Sequence, residues 1–181
     1  MFYIYNARNA ITHNFKISRN FWQWLNFVFN SVDKDRRKLL GPDRTCAEWL
    51  LRNGASVKWT TDDKFLSDYN ALPPEKTQLF IKEVDATESS VSHYGFSHFV
   101  GCNFIEKIIF HNCSYLENQA LPLLHPLSDS LTFLQITSCA NIDEKGLNSL
   151  NYLKNLNTLV IGNLPYLNDK EKVLSFLKST K

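Results

Sequence analysis

Residues 105–116, IEKIIFHNCSYL, carry the pattern that decides the fold. Ile105, Ile108, Phe110, Cys113 and Leu116 lie at offsets 0, 3, 5, 8 and 11 of that stretch. The same frame returns in LTFLQITSCANI (131–142) as Leu131, Leu134, Ile136, Cys139 and Ile142. It returns again in LNTLVIGNLPYL (156–167) as Leu156, Leu159, Ile161, Leu164 and Leu167. The registers are 26 and then 25 residues apart. A fourth, degenerate copy starts near Ile81, with Val84, Ala86 and Ser89 in frame.

The frame has a geometric reason. Offsets 3 and 5 are two residues apart, so they point to one face of a short strand. The chain then turns, and the apolar residue at offset 11 drops back into the core. Ala120-Leu121-Leu124, Gly146-Leu147-Leu150 and Val173-Leu174-Leu177 supply the inward face of a helix after each strand. A strand-plus-helix unit cannot bury that face alone, and stacking such units does so. A period of about 20–29 residues is that of leucine-rich repeats. The expected fold class is α/β, a short leucine-rich-repeat solenoid over 75–181 of about four repeats, with an N-terminal helical capping unit over 21–74.

The capping unit reads differently. Phe21-Trp22-Gln23-Trp24-Leu25-Asn26-Phe27-Val28-Phe29 is aromatic and uncharged, which predicts a buried helix. Gly41-Pro42-Asp43 opens a second helix: Pro42 suits its first turn, Asp43 its positive end, and Asn53-Gly54 a left-handed stop. Its expected inward residues are Ala47, Leu50, Leu51 and either Cys46 or Trp49. Asn70-Ala71-Leu72-Pro73-Pro74 marks the passage into the repeats, because paired prolines disfavour a continuing helix.

Charge divides the 181 residues unevenly. Residues 1–20 hold Arg8, Lys16 and Arg19 and no acid; the first acid is Asp33. Removing those three from the 20 basic residues leaves 17 against 18 acids, so the remainder is near-neutral. That argues against a nucleic-acid surface, which needs a basic stripe. The acid-free leader with Arg, Lys and Ser has the composition of a mitochondrial transit peptide, with cleavage expected close to Phe21. The four cysteines, Cys46, Cys102, Cys113 and Cys139, form no C-x-x-C pair, which speaks against a zinc site. No run of residues approaches the roughly 18–20 apolar positions of a spanning helix, so membrane association is expected to be peripheral.

No catalytic motif is present: G-x-x-x-x-G-K-[ST], H-E-x-x-H and G-x-S-x-G are all missing, and the chain is read as a non-enzyme. His93 and His98 are off the i, i+4 metal spacing and are read as surface or capping histidines. Asp62-Asp63 and Asp143-Glu144 are read as solvated turns. The cluster Phe21, Trp22, Trp24, Phe27 and Phe29 admits two readings. The preferred one is core packing against the first repeat; the other is an anchor, with Trp22 and Trp24 at a wet–apolar interface. Lys34, Arg36, Arg37 and Lys38 follow directly. Arg36 and Arg37 are candidates to meet anionic lipid or an acidic partner, although Asp33 and Asp35 dilute the patch and favour a solvated helix end.

The block FWQWLNFVFNSVDKDRRKLLGPDRTCAEWLLRNGA (21–55) resembles the coupling factor B (subunit s) family of mitochondrial ATP synthase. So do SDYNALP (67–73), DATES (85–89), GFSHFVG (95–101), IEK (105–107) and SCANIDEKGL (138–147). The resemblance spans essentially everything after the leader. It implies a monomeric peripheral protein on the matrix side of the mitochondrial inner membrane, with the ATP synthase membrane sector as partner. The implied role is to support coupled proton conduction and limit proton leak. It also implies Mg²⁺ at the join of cap and repeats, held by the main-chain oxygens of Gly54 and Thr87 with water completing the shell. Two departures stand out. The family pattern carries Cys-x-Cys in the second repeat, where Phe110-His111-Asn112-Cys113 has one thiol, which argues against a dithiol switch. The sequence also stops at Ser179-Thr180-Lys181, before a last strand that the family pattern includes. Two competing readings are an assembly factor for respiratory complex I and a ubiquitin-ligase substrate receptor; the leader argues against the second.

Overall fold

A computed structural model describes residues 21–22 and 24–179. The expected transit peptide, residues 1–20, lies outside them. Residues 24–30 form helix α1, followed by α2 (Lys34–Leu40) and α3 (Pro42–Arg52). Asp33 caps α2 by accepting from the backbone N–H of Asp35 and Arg36 at 3.0 and 2.9 Å, and Gly41 ends it at φ 85°. Pro42 opens α3 and Asn53 closes it, with Gly54 following in the left-handed region at φ 83°. Only residues without a Cβ penalty take up such backbone freely.

Six strands then form one sheet in the order β2-β1-β3-β4-β5-β6. β1 (Ser56–Trp59) runs antiparallel to both β2 (Phe65–Leu66) and β3 (Ile81–Asp85). From β3 onward the strands are parallel: β4 (Lys107–His111), β5 (Phe133–Thr137) and β6 (Thr158–Gly162). The architecture is therefore mixed α/β. Phe110 pairs with Ile136 and Ile136 with Ile161; Ile108, Leu134 and Leu159 form a second row. The sequence frame is thus a set of lateral rows. Ile105, Cys113, Leu116, Leu131, Cys139 and Ile142 are buried behind them, as are Ile81, Val84, Ala86 and Ser89 of the degenerate copy.

After each parallel strand the chain makes the same sharp bend. Glu88, Asn112, Ser138 and Asn163 take φ between 49° and 57°, a left-handed conformation at non-glycine positions. The bend carries the ladder one residue further. Glu88 N–H donates to His111 O, Asn112 to Thr137 O and Ser138 to Gly162 O, at 2.8, 3.0 and 3.0 Å. Three such bonds offset part of a strain of roughly 1–2 kcal/mol per left-handed residue.

The returning limbs depart from the expected helices. His93–Phe99 and Asn118–Leu127 are 3₁₀ segments. The third limb begins as α4 (Glu144–Asn148) and tightens to 3₁₀ over Ser149–Tyr152, and only α5 (Lys170–Ser179) is α-helical throughout. Pro122 and Pro126 explain one case: each lacks an N–H and clashes with the preceding turn. The inward residues are those expected, with Ala120, Leu121, Leu124, Gly146, Leu147, Leu150, Val173 and Leu177 buried and Leu174 half-buried against the core.

Candidate functional site

The join between cap and sheet gathers most of the buried polar groups. α3 packs against α2, β1 and the His93–Phe99 segment, so it is buried on more than one face. Cys46 and Trp49 are therefore both buried, where the helical period favoured one of them. Asp43 does more than suit a helix end: its carboxylate accepts the N–H of Ile81 at 2.9 Å, fastening α3 to β3. Burial, the dominant effect, raises its pKa despite that bond.

Glu48 is 0% exposed and is met by three arginines. Arg36 donates through Nε and Nη2 at 2.7 and 2.8 Å, Arg44 through Nε at 2.9 Å, and Arg52 stands at 3.9 Å. Burial pushes the Glu48 carboxyl up, but the Arg36 and Arg44 bonds outweigh it and hold it below the usual carboxylate range. Arg36 also reaches Glu75 at 3.0 Å, and Arg44 donates to Pro73 O. Arg37 donates to the carbonyls of Ser97, His98 and Val100. The candidate contact pair Arg36 and Arg37 is thus turned onto the body of the molecule. Lys34 and Lys38 are exposed, as a solvated helix end requires, whereas Arg36 and Arg37 tie α2 to α3 and to the His93–Phe99 segment.

Trp49 stacks on His98 at 5.2 Å and packs edge-on to Phe96 and Phe99. His98 is buried, contrary to the surface reading. Burial pushes its pKa down to about 4, so the ring is neutral at pH 7. His93 is half-buried against the ring of Tyr94.

The aromatic helix is the largest correction. Trp22 and Trp24 are 59% and 58% exposed, and Phe21, Phe27, Val28 and Phe29 are exposed with them. The buried residue of α1 is Asn30, with half-buried Asn26 one turn before it on the same face. The helix is amphipathic in the inverted sense, with its polar stripe inward and its aromatic arc outward. A cleft of about 190 Å³ remains beside it, lined in part by Trp22, Phe29, Arg52 and Tyr115. Composition alone counted the rings as core; their direction depended on where the two asparagines found partners.

Gly54 lies between the end of α3 and β1, and Thr87 lies in the turn after β3. Ser56 pairs with Asp85 and Val57 with Val84, and beyond that ladder Asn53 O accepts from Ser90 N–H at 2.8 Å, so the chain running past Gly54 is Ser89–Ser90. Gly54 and Thr87 are exposed, and a Cβ at Gly54 would stand 4.0 Å from Ser89 Cα. Asp85 closes the turn by accepting from Thr87 N–H at 3.0 Å and Thr87 Oγ1 at 2.6 Å. Main-chain carbonyls on exposed turns are the kind of donor that a hard cation keeping most of its water takes. Among the described residues no group of three or more His, Cys, Asp or Glu side chains could hold a metal.

The four thiols are free and buried in two pairs. Cys46 interacts with Cys102, and Cys113 with Cys139 on the neighbouring strand, while Cys102, Cys113 and Cys139 donate to the carbonyls of His98, Ala86 and Phe110. Burial pushes the Cys46 thiol up; the neighbouring Cys139 and burial push Cys113 up. Among the described residues no helix is long and apolar enough to cross a membrane.

These features define a class: a small mixed α/β protein with in-register parallel strands, whose N-terminal helices are held to it by buried polar groups and display an aromatic helix. No protein-family model matches the chain. Curated relatives do. The chain is 44% identical to rat mitochondrial ATP synthase subunit s over 158 residues, covering 85% of this chain and 79% of the relative. It is 40% identical to the bovine protein over 167 residues, 90% of this chain and 84% of the relative. The human protein is 40% identical over 166 residues, 90% and 83%. The chain belongs to the family of mitochondrial ATP synthase subunit s.

Proposed function

We propose that this protein is a non-catalytic accessory subunit that associates with mitochondrial ATP synthase at the matrix side of the inner membrane. There it supports coupled proton conduction and limits proton leak. The observation that carries this reading is the 40–44% identity to relatives named for that complex over about four-fifths of their length. The parallel rungs are read as leucine-rich repeats over 75–181, capped by 21–74, following the import leader 1–20. The protein acts as a monomer and peripherally.

The outward aromatic arc of α1 is the attachment surface in this reading, with Trp22 and Trp24 at its centre. Trp combines a large apolar body with one N–H, which suits a boundary that is oily on one side and wet on the other. Arg36 and Arg37 contribute by holding the cap together. Mg²⁺ is held by the main-chain oxygens of Gly54 and Thr87, where it supplies a fixed positive charge joining the end of α3 to the turn after β3.

The test uses inner-membrane preparations depleted of the protein and resupplied with wild type or with the Trp22→Ala/Trp24→Ala double variant. Proton leak, ATP synthesis and native-gel profiles of complex I are read together. Restored coupling by wild type, with less restoration by the variant, is the expected result. Normal coupling in depleted membranes, with complex I intermediates accumulating, would replace this reading by an assembly role for complex I.

A further inference from the structure

The way α1 is fastened carries an inference of its own. A short helix that turns its aromatic residues outward draws little hold from apolar contact, and beside it lies the cleft described above. What seats it is a group of carboxamides centred on Asn30. Asn30 is 0% exposed, and its Oδ1 accepts from Trp49 Nε1 at 2.9 Å and Ser92 N–H at 3.0 Å. Its Nδ2 faces Asn26 O at 2.8 Å, Asn53 Oδ1 at 3.1 Å and Ser90 O at 3.3 Å. Asn53 answers through Nδ2 to Phe29 O at 3.2 Å and Trp49 O at 2.8 Å. Asn26 adds a bond to Ser90 O at 3.0 Å. Phe27 against Tyr94 is a ring contact from the arc to the body.

We propose that Asn30, supported by Asn53 and Asn26, is a positioning residue: a polar latch that keeps α1 folded and its aromatic arc directed outward for attachment. The inference rests on the reading of that arc as the attachment surface. Its physical basis is directional. Apolar packing tolerates sliding, whereas donors and acceptors on α1, α3 and the Ser90–Ser92 segment specify one seat. A helix of this length is unstable by itself in water. Released from the latch it loses its preformed shape, and binding then has to supply the ordering.

The isosteric change Asn30→Asp isolates the latch. It keeps size and both accepted bonds, but sets an oxygen against the three acceptors that Nδ2 now serves. Asn26→Ala, at the half-buried end, is a milder second variant that removes the bond to Ser90 O. The full chain is mixed with vesicles of phosphatidylcholine and cardiolipin, and sedimentation gives the partition coefficient. Trypsin cleavage after Lys34 without vesicles reports α1 opening. Thermal unfolding confirms that the sheet stays cooperative. Asn30→Asp is expected to weaken partition and speed cleavage by about tenfold, with Asn26→Ala in the same direction and smaller. In the Trp22→Ala/Trp24→Ala background Asn30→Asp should still speed cleavage but reduce partition no further. Two failures are distinct. If the tryptophan double variant partitions like wild type, the attachment surface itself is wrong. If it does not, and both asparagine variants partition and are cleaved like wild type, the latch is refuted. Should Asn30→Asp fail to fold, Asn26→Ala decides by the same two readings.

Discussion

A single methyl group added at Gly95 should test the join between cap and sheet. Gly95 lies in the His93–Phe99 segment beneath the indole of Trp49. A Cβ there would stand 2.3 Å from both Cε2 and Nε1 of Trp49 and 2.6 Å from Cζ2. The Gly95 φ lies outside the left-handed region, so the backbone accepts alanine and the penalty is purely steric. The indole has nowhere simple to go, because Phe96, His98 and Phe99 enclose it. Overpacking of this kind costs about 1–3 kcal/mol. Moving the indole also breaks its bond to Asn30 and leaves buried polar atoms unpaired, at about 1–3 kcal/mol more. The sum, about 2–6 kcal/mol, is a large part of a typical stability of roughly 5–15 kcal/mol. For a chain of this size that corresponds to a fall in Tm of roughly 4–24 °C. Thermal unfolding followed by near-ultraviolet circular dichroism measures it. Gly162→Ala is the control: its Cβ would meet Thr137 Cγ2 at 3.5 Å, an ordinary contact, and Tm should barely move. Trp49→Phe added to Gly95→Ala should cost less than the two changes summed, because the smaller ring vacates the space. A Gly95→Ala protein melting within about 2 °C of wild type would refute the steric argument.

Acid titration should expose His98. Between pH 6.5 and about 4 the unfolded chain binds a proton that the buried ring does not, so stability falls through that window as pH falls and is level above it. The drop is about 3 kcal/mol at most, and His98→Phe should flatten it in urea titrations at successive pH values. Glu48 acts lower on the scale. Its depressed carboxyl gives stability that is complete above about 4.5 and is lost as pH falls through its folded value. Glu48→Ala should destabilise by about 2–4 kcal/mol, measured by urea unfolding at pH 7, because Arg44 is left largely covered without its partner while half-exposed Arg36 is screened by water. Addition of Mg²⁺ after chelation should raise Tm, as any ligand of the folded state does. A flat response would remove the ion from Gly54 and Thr87.

The repeat was legible because its cause is local and periodic. A strand points every second residue to one side, so Ile108 and Phe110 declare their row before any partner is known, and Ile136 and Ile161 confirm it as neighbours. The ends of α3 were legible for the same kind of reason: Pro42 and the Asn53-Gly54 pair act through their own backbone. The 3₁₀ limb over Asn118–Leu127 had a visible signal in Pro122 and Pro126 that the apolar spacing overrode. The left-handed turns had none, since Glu88 and Ser138 are ordinary residues held in that conformation by a carbonyl on the next rung.

Sequence by itself determined the α/β class, the spacing of the rungs, the inward row of each strand and the family. All of these follow from short-range geometry or direct likeness. Only the tertiary structure decided that the aromatic helix faces out, that Arg36 and Arg37 turn inward and that His98 is buried. Each depends on a partner many residues away: Ser90 and Trp49 for Asn30, Glu48 for Arg36, the Ser97–Val100 carbonyls for Arg37. The side a helix presents is set by the better of two available environments. For α1, the hydrogen-bonding groups of Trp49, Asn53, Ser90 and Ser92 that Asn30 meets outweighed the pull of five aromatic rings toward a core already filled by Trp49, Phe96 and Phe99.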